Sequence, residues 1–293
     1  MHLILEAIME NAIQQKGKRL AITGKKDPVA LAAILAARDR GWIEPVACGG
    51  PLSELRKELE VYFVDSDIWQ ARQEALSLLR NKEAEALLDM GPLDNRFFSL
   101  LNEAGAQIKN THLLSYVSVF MLPKNGLMTL LTDTLINSAP GLMEKVQIVE
   151  NAIKVANALG IDRLKIAALG PLELVNPAIP STLDAAILSK MSERGQFGDV
   201  IVEGPLGMDN AESALAAQHK GIESPVPGNV DVYLFPDLES ANITAQFFTW
   251  AGRCQLGGVL AGTKFPIIIR SPLESPDSWL LNLALGLIMN GEI

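Results

Sequence analysis

Three short stretches of this 293-residue chain combine charge with proline, two of them with glycine as well, in ways that suit anion chemistry. The richest is Val202-Glu203-Gly204-Pro205-Leu206-Gly207-Met208-Asp209-Asn210. Gly204 and Gly207 permit tight turns, and amides exposed where a helix starts bind anions. Asp209 also suits an N-cap, and on the residues alone an ordinary strand-to-helix turn is the favoured reading of this stretch. In Gly262-Thr263-Lys264-Phe265-Pro266, Lys264 follows a glycine turn and is either a phosphate partner or a solvated surface lysine. In Arg270-Ser271-Pro272, after the strand-like Ile267–Ile269, Arg270 offers a planar fork that can hold phosphate oxygens two at a time. Ser271 suits capping of the next turn, and a plain helix entry is the alternative.

Other chemistries find less support. His2, His112 and His219 are scattered, with no H-E-x-x-H spacing. Cys48 and Cys254 form no C-x-x-C pair and sit in apolar surroundings, as buried structural thiols do. Neither a G-x-x-x-x-G-K-[ST] loop nor a convincing G-x-G-x-x-G after a strand is present. Both a P-loop NTPase and a Rossmann dehydrogenase are therefore disfavoured.

The elements that must carry these loops follow from periodicity. Short apolar runs predict strands at Arg19–Thr23, Glu44–Cys48, Val61–Val64, Ala86–Leu88, Tyr116–Met121, Met128–Leu131, Lys165–Leu169, Val200–Val202, Val230–Phe235 and Gly257–Leu260. Helical periods fill Pro28–Arg40, Asp67–Lys82, Pro140–Leu159, Thr182–Arg194 and Ala211–Gln218, and an apolar last helix runs from Trp279 to Met289. Asp27 can cap the first of these, and Pro28 fits its first position. Such alternation reads as α/β with mainly parallel sheets, where ligands bind beyond the carboxyl ends of strands. Polar breaks after Ser138 and near Gly257 suggest a discontinuous first domain, 1–138 plus 258–293, and a second at 139–257.

Composition narrows the setting. The chain is 48% hydrophobic, with a net charge of −9 and no like-charge run of five, so a nucleic-acid face is not expected. Glu6 and Glu10 interrupt the first apolar run, which argues against a signal peptide. No stretch reaches the roughly 18 apolar residues of a membrane span. A soluble, cytoplasmic protein without a membrane partner is the expectation.

From Leu113 onward the sequence resembles the phosphate acetyltransferase and phosphate butyryltransferase family, its butyryl branch above all. Leu114-Ser115-Tyr116-Val117-Ser118-Val119-Phe120 resembles the family's LSHVSVF strand, and Leu131-Thr132-Asp133 with Asn137 and Pro140 its LLTDAAxNIAP segment. Glu173-Leu174-Val175-Asn176-Pro177 with Thr182-Leu183-Asp184-Ala185, and Gly204-Pro205-Leu206 with Asp209-Asn210-Ala211, match two further runs. His219-Lys220-Gly221, Ser224-Pro225-Val226 and the loop Phe235–Asn242 complete the series. Upstream of Leu113 the likeness is one of organisation and length.

The resemblance implies a two-domain fold similar to isocitrate dehydrogenases, with the active site in the cleft between domains, and a homodimer. It implies exchange of a short or branched acyl group: acyl-CoA plus phosphate gives acyl phosphate plus CoA. CoA is then a co-substrate, partners are acyl phosphate and inorganic phosphate, and no cofactor or metal is bound. Asp277 would take the thiol proton, and Lys264, Arg270 and Ser271 would hold phosphate or thioester oxygens, helped by Lys109. Ser115 and Asp209 join the phosphate and CoA contacts, while Asp133, Asn242 and the Gly204-Pro205 turn shape the cleft.

The sequence also departs from the family. Pro272 stands where an arginine is usual after the serine, and Asp89-Met90-Gly91 lacks the lysine of a Met-Lys-Gly turn. Lys109 replaces an arginine and Tyr116 a histidine. Arg270 lies one residue early, and neighbouring side chains on an extended strand face opposite ways. A non-catalytic relative that binds CoA or acyl phosphate is therefore the alternative reading. A dehydrogenase would need clustered aspartates for Mg²⁺ and several arginines for a dicarboxylate, and neither is evident.

Overall fold

The computed structural model describes residues 8, 17–24, 27–49, 67–103, 113–121, 128–252, 254–272, 274 and 278–289. The chain divides into two units, Leu113–Leu256 and His2–His112 with Gly257–Ile293. The expected strand Val61–Val64 lies outside the described residues.

The discontinuous unit is built on β1 (Lys18–Gly24), α1 (Pro28–Asp39), β2 (Ile43–Ala47), α2 (Ile68–Arg80), β3 (Ala86–Met90) and α3 (Asn95–Glu103). Its four-stranded sheet is completed from the far end of the sequence by β10 (Ile267–Ile268), in the order β10-β3-β1-β2, with every pairing parallel. Leu20, Ile22, Leu87 and Leu88 in its central strands are essentially inaccessible. Burying each such side chain contributes about 1.5–3 kcal/mol. Asp27 starts α1 by accepting from the amides of Val29 and Ala30, as its type and the following proline suggest. The last helix, α9 (Ser278–Ile288), is buried along most of its length and lies against β10. A Cβ on Gly286 would stand 2.3 Å from Ile268, so the close approach requires glycine.

The continuous unit holds β4 (Ser115–Met121), β5 (Met128–Thr132), α4 (Leu142–Ala158), β6 (Lys165–Leu169), α5 (Pro180–Glu193), β7 (Ile201–Leu206), α6 (Met208–Glu212), α7 (Ala214–His219), β8 (Val232–Leu234) and α8 (Leu238–Trp250). Its sheet runs β7-β6-β8-β5-β4-β9, where β9 (Gln255–Ala261) carries the chain into the other unit. The β5, β6, β7 and β8 pairings are parallel, but β4 and β5 are antiparallel. The six-stranded sheet is thus mixed, because the connection between β4 and β5 is too short for a crossover helix, while the pairings of the four-stranded one are parallel. That pairing also moves the boundary. The sequence reading cut after Ser138, whereas the units divide at Leu113, since β5 pairs with β8 and takes β4 with it.

Other differences are local. Ala211–Gln218 is two short helices, because Ser213 leaves the helical region and caps the second through the amide of Ala216. The stretch read as the loop Phe235–Asn242 turns helical at Leu238, with Asp237 accepting from the amide of Ser240. Among the described residues, no helix is long and apolar enough to cross a membrane, and no group of three or more His, Cys, Asp or Glu could hold a metal ion.

Candidate functional site

At the carboxyl edge of the four-stranded sheet, Arg270 and Ser271 follow β10 directly. The segment is pinned by Asn282 of α9, whose amide donates to the Ile269 carbonyl at 3.1 Å and to the Glu274 carboxylate. The Asn282 carbonyl oxygen accepts from the Gly258 amide at 2.9 Å, tying the same residue to β9. Ser271 is fully buried, and its carbonyl accepts from the Glu274 amide at 3.0 Å. Arg270 is half-buried, with its guanidinium carbon 5.3 Å from the centre of the Trp279 ring.

The Trp279 indole N–H donates in turn to Asp27 Oδ2 at 3.3 Å. Burial pushes the Asp27 carboxyl up. The amides of Ala30 and Val29, the Trp279 indole and the charge of Arg270 outweigh it and hold the group below the usual carboxylate range. Among the described residues, no hydrogen bond or ion pair engages the Arg270 guanidinium. A planar fork with open donors at a strand's carboxyl end is suited to an oxyanion.

A second arginine in this unit is differently occupied. Arg72 of α2 is buried and makes a bidentate pair with Asp89 of β3, at 2.7 and 2.8 Å. It also donates to the Pro92 carbonyl at 2.8 Å and lies 4.5 Å from the Phe97 ring centre. Thr23 and the Gly91 amide complete the Asp89 shell at 2.6 and 3.0 Å. Lys264 is exposed beside Thr263, whose fully buried hydroxyl finds no hydrogen-bond partner among the described residues. Asp277 and Lys109 lie outside the described residues. Both cysteines are buried and free, and burial with the Glu74 charge pushes the Cys48 thiol up to about 12. Neither thiol is placed for nucleophilic work.

The six-stranded sheet has a different carboxyl edge. A cavity of about 850 Å³ opens beyond β6 and β8, walled by Leu169, Pro171, Phe235 and Pro236 and by the first turns of α4, α5 and α8. Its charged lining is Asp237, which caps α8, and Lys145 of α4, whose ammonium meets Asp184 of α5 at 2.6 Å.

The sequence-predicted residues of this unit stand around the cavity rather than in its wall. Asp133 is buried and accepts from the amides of Tyr116, Leu135, Ile136 and Asn137 at 3.0–3.2 Å, so it organises the loop after β5. Ser115 is buried, and its hydroxyl accepts from Asn151 at 2.9 Å. Asn242 donates to the Thr134 carbonyl at 3.3 Å and accepts from Gln246 at 2.7 Å. Gly204 and Pro205 share a cis peptide, and a Cβ at Gly204 would stand 2.6 Å from the Ala168 carbonyl oxygen. Glycine is needed there for β7 to lie against β6. Asp209 does not cap α6, because Gly207 occupies the N-cap position. It is exposed and meets Lys220 at 3.0 Å, and Lys220 also binds Glu173.

Three of the side chains around these two edges escaped the sequence reading, and a fourth, Asp184, entered it only as part of the family likeness. Trp279 looked like the first apolar residue of a core helix, and Asp27 like a cap alone. Lys145 and Asp184 sit one turn inside helices that Pro140 and Pro180 announce, a spacing that places them near the same strand ends.

A family model described as phosphate acetyl/butaryl transferase matches residues 73–285. The chain is 33% identical over 286 residues to a phosphate butyryltransferase of Clostridium acetobutylicum, covering 94% of each chain. It is 30% identical to a phosphate acetyltransferase of Thermotoga maritima, over 98% of this chain and 99% of that one. Among solved structures, a branched-chain phosphotransacylase from Enterococcus faecalis superimposes with a TM-score of 0.78 at 30% identity, covering 94% of this chain and 100% of that one.

Proposed function

This chain belongs to the phosphate acetyl/butyryl transferase family, and from that premise we propose that it is a phosphotransacylase exchanging a short or branched acyl group between phosphate and the thiol of CoA. The structural observation that carries the reading is Arg270, held half-buried beside Ser271 at the carboxyl end of a parallel strand with its donors open. Phosphate needs such a fork in both directions of the reaction.

In the direction of thioester synthesis, the CoA thiol loses its proton to a carboxylate, for which Asp277 is the proposed base. The thiolate then attacks the carbonyl carbon of the acyl phosphate. A tetrahedral oxyanion forms and collapses, the C–O bond to phosphate breaks, and phosphate leaves with the electron pair. Arg270 and Ser271 bind the phosphoryl oxygens, and Lys264 and Lys109 add positive charge. A positioned base contributes about 10²–10⁴-fold, because a thiol of pKa about 8.5 is mostly protonated at neutral pH. Donors aimed at the developing oxyanion contribute a comparable factor. CoA serves as co-substrate, and no bound cofactor enters the chemistry. A homodimer, a cytoplasmic location and an isocitrate dehydrogenase type of fold belong to the same proposal.

The test is a coupled assay of CoA with acetyl, butyryl and isobutyryl phosphates. Turnover is expected with at least one, and no turnover with any of them would falsify the reading. A non-catalytic relative is favoured by Pro272 and Met90, which stand where cations are usual. Calorimetric binding of CoA without turnover in the same assay would select that alternative.

A further inference from the structure

We infer that Trp279 is a positioning residue that presents the Arg270 guanidinium to phosphate, an inference that deepens the phosphotransacylase reading and rests on it. A long arginine side chain loses rotamer freedom when it is held in one place, so a preformed anion site needs something to hold it. An ion pair would do so by consuming N–H donors, as Asp89 does to Arg72. The face of an indole fixes a guanidinium through its quadrupole and leaves all five donors open. Trp279 is only 3% exposed, and its ring stands 5.3 Å from the guanidinium carbon. It is anchored in turn, because its N–H donates to Asp27, and Asp27 is fixed by the first amides of α1. Each link therefore rests on a backbone element of the same unit.

The direction of presentation follows from the neighbours. Asp27 acts on Arg270 through space without pairing with it, which leaves the fork unspent. Ser271, next in sequence, is buried in a segment that Asn282 pins to β10 and β9. Such a fork takes two oxygens of a phosphate or a carboxylate side by side. On the phosphotransacylase reading the occupant is phosphate or the phosphoryl group of an acyl phosphate.

Steady-state kinetics with acyl-CoA and phosphate, together with calorimetric titration of inorganic phosphate, test this on the full chain. Arg270→Ala is expected to raise the phosphate KM and Kd by roughly 10–100-fold and to leave the acyl-CoA KM unchanged. Trp279→Leu is expected to raise them by roughly 3–20-fold, through loss of the ring face alone. Trp279→Phe, which keeps a ring, should recover most of that loss. Arg270→Lys, which keeps the charge but not the plane, should not rescue. A folded Trp279→Leu protein with wild-type phosphate affinity overturns the inference. If Trp279→Leu fails to fold, native phosphate affinity in Arg270→Lys overturns it instead. A wild type that does not turn over but binds phosphate in an Arg270-dependent way removes the enzymatic reading and leaves this one standing. A wild type that binds no phosphate removes this one.

Discussion

The two sheets end in carboxyl edges of opposite character. Beyond the six-stranded sheet lies a roomy cavity of about 850 Å³, yet the cation in its wall, Lys145, is already neutralised by Asp184. Beyond the four-stranded sheet stands an arginine whose charge is held by an aromatic face and whose donors are open. The same unit also contains the contrary case, since Arg72 spends its fork wholly inside the protein. On the proposed reading, volume alone does not mark the reactive end of this fold, and a donor positioned without being satisfied does.

The comparison breaks most readily at the buried pair. Asp89→Asn removes the charge facing Arg72 with little change of shape, and an uncompensated buried guanidinium costs about 3–5 kcal/mol. Urea unfolding should show that loss, and a change within about 0.5 kcal/mol would mean that Arg72 finds another partner. The cavity pair should respond more mildly, because Asp184 is partly open to solvent. Lys145→Met alone is expected to cost about 1–3 kcal/mol, with most of it recovered in the double variant Lys145→Met, Asp184→Leu. If the pair is structural, that double variant keeps kcat within about threefold of wild type. A fall of a hundredfold with unchanged unfolding would move the chemistry to the cavity.

The smallest effect belongs to Glu173. Hydrogen bonds from Lys220 and Asn210 hold its carboxyl down at about 2, from an ordinary value of 4.5. A depressed folded pKa means that the unfolded chain binds the extra proton first, so stability rises with pH. The contribution is fully present above about pH 4.5 and fades as the pH falls toward 2. Glu173→Gln should flatten the acid limb of a thermal-unfolding profile over that window. An unchanged limb would show that this partly exposed ion cluster is screened to insignificance.

Much of the frame could be read directly from the chain. Lys165–Leu169 alternates with nothing and is buried almost throughout, as a strand covered on both faces must be. Asp27-Pro28 started α1 where cap chemistry placed it, and Arg270-Ser271 stood out because guanidinium and hydroxyl follow an apolar run. The antiparallel pairing of β4 with β5 was missed because an apolar run carries no sign of strand direction. Asn242 was placed in a loop because Phe235–Asn242 resembles a loop of the family, yet Asp237 begins a helix. Asp209 was taken for a cap, and its carboxylate pairs across loops with Lys220 instead.

Local rules settled which segments are strands and helices, since period and capping act within a few residues. Ordered resemblance along the chain settled the family. Only tertiary structure decided which charges are spent. Arg72 and Arg270 are the same residue type, and nothing within a few positions of either distinguishes them. Their difference comes from partners far away in sequence, Asp89 on a neighbouring strand for one and Asp27 behind Trp279 for the other. Charge satisfaction is a property of packed neighbours, and a one-dimensional pattern does not contain it.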